Sequence, residues 1–291
     1  MAAMRTEDLE VLADTAEIAA REAGAVIAGY RDREVDVRDK GAAGGSGLAS
    51  QVVTEVDERS EEAVLAVLSP TLKKYDLAVL TEEREDDEQR LAKDYFWCVD
   101  PLDGTLPFTR GIPGYSVSIA LVRQDGLPVI GVVFDPVEDR LYRAVAGTGV
   151  TINGRKFNPT LRGDGSLKFF ADCTFAQHPE RDALISEVAA VATKLGFSGM
   201  EVIEGAGGVL NACHVMTDGP ACYFKKPKME SGGGSLWDFA ATACLFGEAG
   251  LHARDFAGGV LDLNRVDSTF MNHRGVCFAS TEELAEALQG R

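Results

Sequence analysis

Five strand-length apolar runs between residues 77 and 147 leave this chain little choice of fold. They are LAVLT (77–81), YFWCVD (95–100), YSVSIALV (115–122), PVIGVVFD (128–135) and RLYRAVAG (140–147). Only short turns separate the last three, at Asp125-Gly126 and Asp135-Pro136. A parallel pair needs a crossover of roughly a dozen residues or more. These strands must therefore pair as an antiparallel meander. Two helices are expected ahead of them. One covers about 6–31, with Leu9, Leu12, Ala16, Ala19, Ala23, Val26, Ile27 and Tyr30 at helical spacing. The other covers 55–68, with Pro70 just past its end. A Gly-rich loop, DKGAAGGSG (39–47), lies between them.

Near LRGDGS (161–166) the rhythm changes. Strands at 166–172, 199–205, 221–224 and 275–280 alternate with helices at 181–195, 207–217, 237–249 and 281–289. That alternation implies an α/β layer. The expected organisation is an α+β lobe over 1–162 and an α/β lobe over 163–291, together a layered α+β and α/β fold.

Composition narrows the function. The 291 residues carry a formal charge of −17. Such a surface repels a phosphate backbone, so no nucleic-acid polymer is expected as partner. A small anion stays possible wherever a cation or a basic patch reverses the local field. The six cysteines are scattered, without a C-x-x-C pair, and read as buried free thiols. The N-terminal stretch is acidic early and lacks an apolar signal core. No membrane span is expected, and the expectation is a cytoplasmic protein.

The strand YFWCVD runs straight into Asp100-Pro101-Leu102-Asp103-Gly104-Thr105. Two like charges three residues apart at the end of a buried strand repel each other unless a cation joins them. Mg2+ takes oxygen ligands from one or two carboxylates plus substrate phosphate. The Leu102 carbonyl lies between the two acids, and Gly104 and Thr105 can turn their amides toward an anion. Asp, Pro and Gly also form plain turns. Further carboxylates sit at other element ends: Asp57 near a helix start, Glu82 and Glu83 after the strand LAVL, Asp238 in the first turn of a helix. Each alone reads as a helix-capping or solvated acid.

Taken in order, these segments resemble the lithium-sensitive, magnesium-dependent phosphatases, the superfamily of inositol monophosphatase, 3'(2'),5'-bisphosphate nucleotidase and fructose-1,6-bisphosphatase. The resemblance rests on WCVDPLDGTLPFTRG (97–111) and LWDFAATACLFGEAG (236–250), with VVTEVD (52–57), TEE (81–83), GIPGYSVSIAL (111–121) and GVVFDPVEDRLYRAVAGTG (131–149). It implies an αβαβα sandwich and often a homodimer. It also implies two to three Mg2+ ions. Glu82, Asp100 and the Leu102 carbonyl would hold one; Asp100, Asp103 and Asp238 a second; Asp57 a third, weaker one. Gly104 and Thr105 amides would hold the phosphate, and Thr105 with Glu82 would orient the attacking water. Most ligands then fall in the first lobe, with Asp238 and the substrate-side loop in the second.

The sequence departs from the family pattern at three places. Thr81 replaces the usual glycine before Glu82-Glu83, which leaves the register between the two glutamates open. Pro107 replaces an asparagine. FKKPKMESGGGSLWD (224–238) is longer and more basic than the inositol monophosphatase segment, where a glutamate usually meets a sugar hydroxyl. Lys225, Lys226 and Lys228 read either as a solvated charge run or as contacts to a second phosphate. Lys40 resembles the mobile-loop lysine of such enzymes. His214, on an apolar helical run, reads as a core or lining histidine. The expected substrate is a small phosphorylated metabolite, inositol monophosphate by default. The alternative is 3'-phosphoadenosine 5'-phosphate, and a non-catalytic metal-binding relative is a distant third.

Overall fold

The computed structural model describes residues 4–31, 33, 37–39, 52–159 and 165–290. Lys40, the rest of the Gly-rich loop and most of the expected lobe boundary, 160–164, lie outside the described residues. A short antiparallel pair, β1 (Val37–Asp39) and β2 (Val52–Thr54), sits between α1 (Thr6–Tyr30) and α2 (Glu55–Tyr75).

The meander forms as expected and is longer. β3 (Ala78–Thr81), β4 (Tyr95–Asp103), β5 (Ser116–Arg123), β6 (Pro128–Asp135) and β7 (Arg140–Val145) stand side by side in chain order. Two further strands follow, β8 (Gly149–Ile152) and β9 (Arg155–Phe157). Their signal was Asn153-Gly154, both at positive φ, as a two-residue hairpin turn demands. Within this sheet β3 and β4 run parallel, and the meander from β4 onward is antiparallel throughout.

The second sheet has the order β11-β10-β12-β14-β13. It comprises β10 (Leu167–Asp172), β11 (Met200–Ala206), β12 (Ala221–Lys225), β13 (His252–Arg254) and β14 (Val276–Ala279). A short helix, α3 (Thr105–Thr109), follows β4; between the strands of the second sheet run α4 (Arg181–Lys194), α5 (Gly208–Thr217) and α6 (Leu236–Ala249), and α7 (Glu282–Leu288) follows β14.

Three apolar clusters explain the stacking. Alternate residues of β4 point to opposite faces. Trp97 and Val99 pack with α1 and α2, while Phe96 and Cys98 pack with α5 and α6. On the second sheet Phe170, Tyr223 and Phe278 join the same α5–α6 layer. Phe169, Cys222 and Cys277 face α4 and α7. The result is helix pair, sheet, helix pair, sheet, helix pair, and the layered αβαβα expectation holds. β4 is buried along its whole length, which is why it reads as an unbroken apolar run rather than an alternating one.

One boundary needs correction. Sequence reasoning ends the second helix before Pro70, yet α2 continues to Tyr75. Proline removes a helical hydrogen bond, a cost of about 3 kcal/mol. Here Ser69 Oγ donates to the Leu65 carbonyl and Thr71 Oγ1 to that of Leu68 at 2.6 Å. Leu68 and Thr71 are buried, and Trp97 Nε1 donates to Thr71 Oγ1 at 2.9 Å. Tertiary burial carries the helix past its proline.

α6 lies against the first sheet at backbone contact. A Cβ on Gly131 of β6 would stand 2.3 Å from the Ala241 carbonyl oxygen, so only glycine fits there. Ser118 Oγ of β5 donates to the Trp237 carbonyl at 3.1 Å. These two contacts hold the first turn of α6, and Asp238 in it, above the end of β4. No helix among the described residues is long and apolar enough to cross a membrane. The six cysteines are free thiols, and all but Cys173 are buried.

Candidate active site

Asp100 and Asp103 do not sit in a simple turn. β4 continues through both: Asp100 pairs with Ser118 of β5, Asp103 pairs with Ser116, and the register shifts between them. Pro101 and Leu102 thus occupy a β-bulge, a device that re-aims side chains. Asp100 Oδ1 accepts from the Leu102 amide at 3.0 Å. The bulge places both acids on the same side as Asp238. Carboxylate oxygens of Asp100, Asp103 and Asp238 all lie within 4.8 Å of one another.

The remaining acids arrive from helix starts and a strand end. Asp57 is the third residue of α2 and closes a capping box with Thr54: Oδ2 accepts from the Thr54 amide at 2.8 Å and from its hydroxyl at 2.6 Å. Asp238 is the third residue of α6 and accepts from the Ser235 amide in the same way. Both therefore cap helices, as their positions alone suggest. Each also has a second duty. Asp238 completes the acidic cluster. Asp57 Oδ1 accepts from Thr105 Oγ1 at 2.9 Å, and that hydroxyl lies 3.1 Å from the Leu102 carbonyl. Glu82 follows β3, tied by its amide to the Val99 carbonyl at 3.2 Å. It lines the same cavity as the cluster, and Glu83 does not.

Asp103 is cradled by the second half of the chain. Its two oxygens accept from the Gly208 and Val209 amides at the start of α5, each at 3.1 Å. Each keeps a second lone pair for another ligand. A Cβ on Gly207 would lie 2.4 Å from Asp103 Oδ2, so the cradle closes only around glycine.

The electrostatics mark this cluster as incomplete by itself. Burial and the field of Asp238 hold the Asp103 carboxyl well above its ordinary range. Burial and Glu82 push Asp238 up to about 6 against the pull of Lys225. Burial raises Asp57 as well, partly offset by the Thr54 hydroxyl. Acids crowded in this way favour a proton or a cation. The donors are all oxygens, with no histidine or thiol among the three, which suits a hard divalent ion such as Mg2+. The residues present fit the metal that the sequence implied.

The cluster forms one wall of a cavity of about 330 Å³. Thr105, Pro107 and Trp237 adjoin it, and Phe175, His178 and Phe270 lie on the lining too. The three lysines separate. Lys225 lines the cavity and pairs with Asp172 at 2.9 Å. Burial alone pulls its ammonium down, but Asp172 and Asp238 outweigh that and leave it raised. Lys226 lines the cavity too, yet its ammonium pairs with Glu187 of α4. Lys228 lines the cavity, lowered by burial and by Lys225. His214 stands apart, half-buried beside Phe170 and lowered by burial.

Sequence reasoning missed the support of Lys225. Asp172 accepts from Tyr223 Oη at 2.9 Å and from Asn211 Nδ2 at 3.3 Å. Its signal was available: Asp172 ends the apolar strand SLKFFAD just as Asp100 follows YFWCV. Gly207 gave no signal, because its neighbour Asp103 comes from a distant part of the chain.

Fold and centre together define a class: a five-layer α/β protein whose candidate site is built of carboxylates rather than a nucleophilic side chain. A model of the inositol monophosphatase family matches residues 8–290, and the chain belongs to that family of phosphatases. The Nus factor SuhB of Pasteurella multocida is 32% identical over 242 residues, covering 83% of this chain and 84% of that one. An inositol-1-monophosphatase of Mesorhizobium japonicum is 32% identical, covering 71% and 73%. The crystal structure of CysQ from Bacteroides thetaiotaomicron, a bacterial member of the same family, superposes with a TM-score of 0.71 at 26% identity over 93% and 97%.

Proposed function

We propose that the chain is a Mg2+-dependent phosphomonoesterase acting on a small phosphorylated metabolite, with inositol monophosphate as the first substrate to test. The observation that carries this reading is the convergence of Asp100, Asp103 and Asp238 within 4.8 Å, with Glu82 on the same cavity. Glu82, Asp100 and the Leu102 carbonyl would hold one ion, and Asp100, Asp103 and Asp238 a second. An ion held there would supply neutralisation of the phosphate charge, acidification of water and stabilisation of the leaving alkoxide.

The chain's own groups do the rest. The Thr105 hydroxyl donates its hydrogen bond to Asp57, which leaves the lone pairs of Oγ1 to accept from a water. Together with Glu82, which lines the same cavity, it would orient that water for attack on phosphorus. Gly104 and Thr105 amides are read as phosphate donors. Asp57 is read first as the partner of Thr105 and second as a ligand of a third ion. No cysteine or serine nucleophile is required.

The second reading is a 3'(2'),5'-bisphosphate nucleotidase acting on 3'-phosphoadenosine 5'-phosphate. Lys225 and Lys228 on the cavity wall favour it, as cations placed to meet a second phosphate. A panel of phosphate-release assays with Mg2+, with and without Li+, separates the two. Release from inositol monophosphate supports the first. Preference for the bisphosphate nucleotide, lost on Lys225→Ala with Lys228→Ala, establishes the second. No release from any substrate rejects both and leaves a non-catalytic relative. Inhibition by lithium belongs to the same proposal, as does a homodimer, which analytical ultracentrifugation tests.

A further inference from the structure

Asp57, Ser60 and Glu61 lie at i, i+3 and i+4 on α2 and so share one face. Each grips a different part of the centre. Asp57 holds Thr105. Ser60 Oγ, fully buried, donates to the Pro101 carbonyl inside the β4 bulge at 2.9 Å. Glu61 reaches the other arm. Its Oε1 accepts the Thr81 hydroxyl, and its Oε2 accepts Arg84 Nε at 2.7 Å. Thr81 and Arg84 bracket Glu82 and Glu83.

Glu61 is 5% exposed and Thr81 3%. A carboxylate is costly to bury, and an apolar side chain would serve adhesion better. α2 already adheres through Val56, Val64 and Leu68. What the buried acid adds is direction: it fixes where β3 ends and where the next residue points.

We infer that Glu61 is a positioning residue for the cation centre. Through the Thr81 hydroxyl and Arg84 it sets Glu82 relative to Asp100 and the Leu102 carbonyl. One turn of α2 thereby gauges the distance between the two ligand arms. The inference rests on the proposed metal site and gives α2 a part in it beyond Asp57.

The test is Mn2+ binding by the metal-free full-length protein, read by electron paramagnetic resonance without substrate. Glu61→Ala and Thr81→Val each weaken binding by about tenfold or more, the usual effect of losing a group that orients a ligand. The double variant is no weaker than the worse single one, since both break one linkage. Glu61→Gln keeps an oxygen for the Thr81 hydroxyl and recovers most of the loss. Thr81→Val nearly preserves shape, so it carries the test if Glu61→Ala does not fold. Wild-type Mn2+ affinity in folded Thr81→Val, or additive losses in the double variant, overturns the inference. A wild-type protein that binds no Mn2+ overturns the metal site, and this inference with it. A wild type that binds Mn2+ but hydrolyses nothing overturns only the proposed function; loss of affinity in the variants then still supports the role of Glu61.

Discussion

Asp100 is the residue on which the proposed chemistry turns, because both proposed cation positions share it. Replacing it by Asn keeps the shape and the acceptor for the Leu102 amide but removes the charge. Asp100→Asn is expected to lower kcat by a factor on the order of 10²–10³, comparable to losing one preorganised electrostatic contact. Phosphate release at saturating Mg2+ checks it, and an unchanged rate would place the reaction elsewhere. The lysines differ from one another at this scale. Lys226→Ala removes a half-exposed pair with Glu187 and is expected to change stability by less than about 1 kcal/mol. Lys225→Ala strands Asp172, left to Tyr223 and Asn211, and is expected to cost about 1–3 kcal/mol, because the pair is largely but not wholly buried. Urea denaturation of the two variants measures the difference.

Elements decide how the acids meet. The start of α5 holds Asp103 in a cradle that a methyl group would fill. Gly207→Ala is expected to destabilise the chain by about 1–3 kcal/mol and to weaken Mg2+ binding, since the clash displaces a ligand. Calorimetric titration and thermal melting together test this. The start of α6 brings Asp238, whose carboxyl is pushed up to about 6. A raised folded-state value means that the metal-free protein loses stability as pH rises through about 6, where Asp238 and its neighbours become mutually repelling anions. Mg2+ relieves the repulsion above that pH, and protons compete with it below. The rise in melting temperature given by Mg2+ is therefore expected to be large near pH 7.5 and to shrink toward pH 5. A constant increment across that range would show that these acids do not bind the ion.

The five layers are held by three apolar clusters, and the one around α5 and α6 joins the two sheets. Phe278 of β14 meets Tyr223, Phe239 and Phe246 there. Phe278→Ala is expected to cost about 3–5 kcal/mol in urea unfolding, far more than any surface change. Much of this architecture was legible beforehand. Short turns dictated the meander, and helix–strand alternation announced the second sheet. Asn153-Gly154 marked a hairpin that the run of stronger strands overshadowed. Pro70 misled, because a local rule about proline says nothing of the burial of Leu68, Thr71 and Trp97 around it. By itself the sequence determined which residues form strands and helices, and which acids stand at their ends, because propensity and periodicity are local. Only the tertiary structure decided that the β4 bulge, the capped starts of α2 and α6 and the cradle of α5 converge on one cavity. It also decided that Glu82 rather than Glu83 faces that cavity, and that Lys225 pairs with Asp172 while Lys226 reaches α4. Those outcomes depend on contacts between segments far apart in the chain, such as Asp103 with Gly208 and Ser118 with Trp237. Layer packing sets such contacts, and no local pattern encodes them.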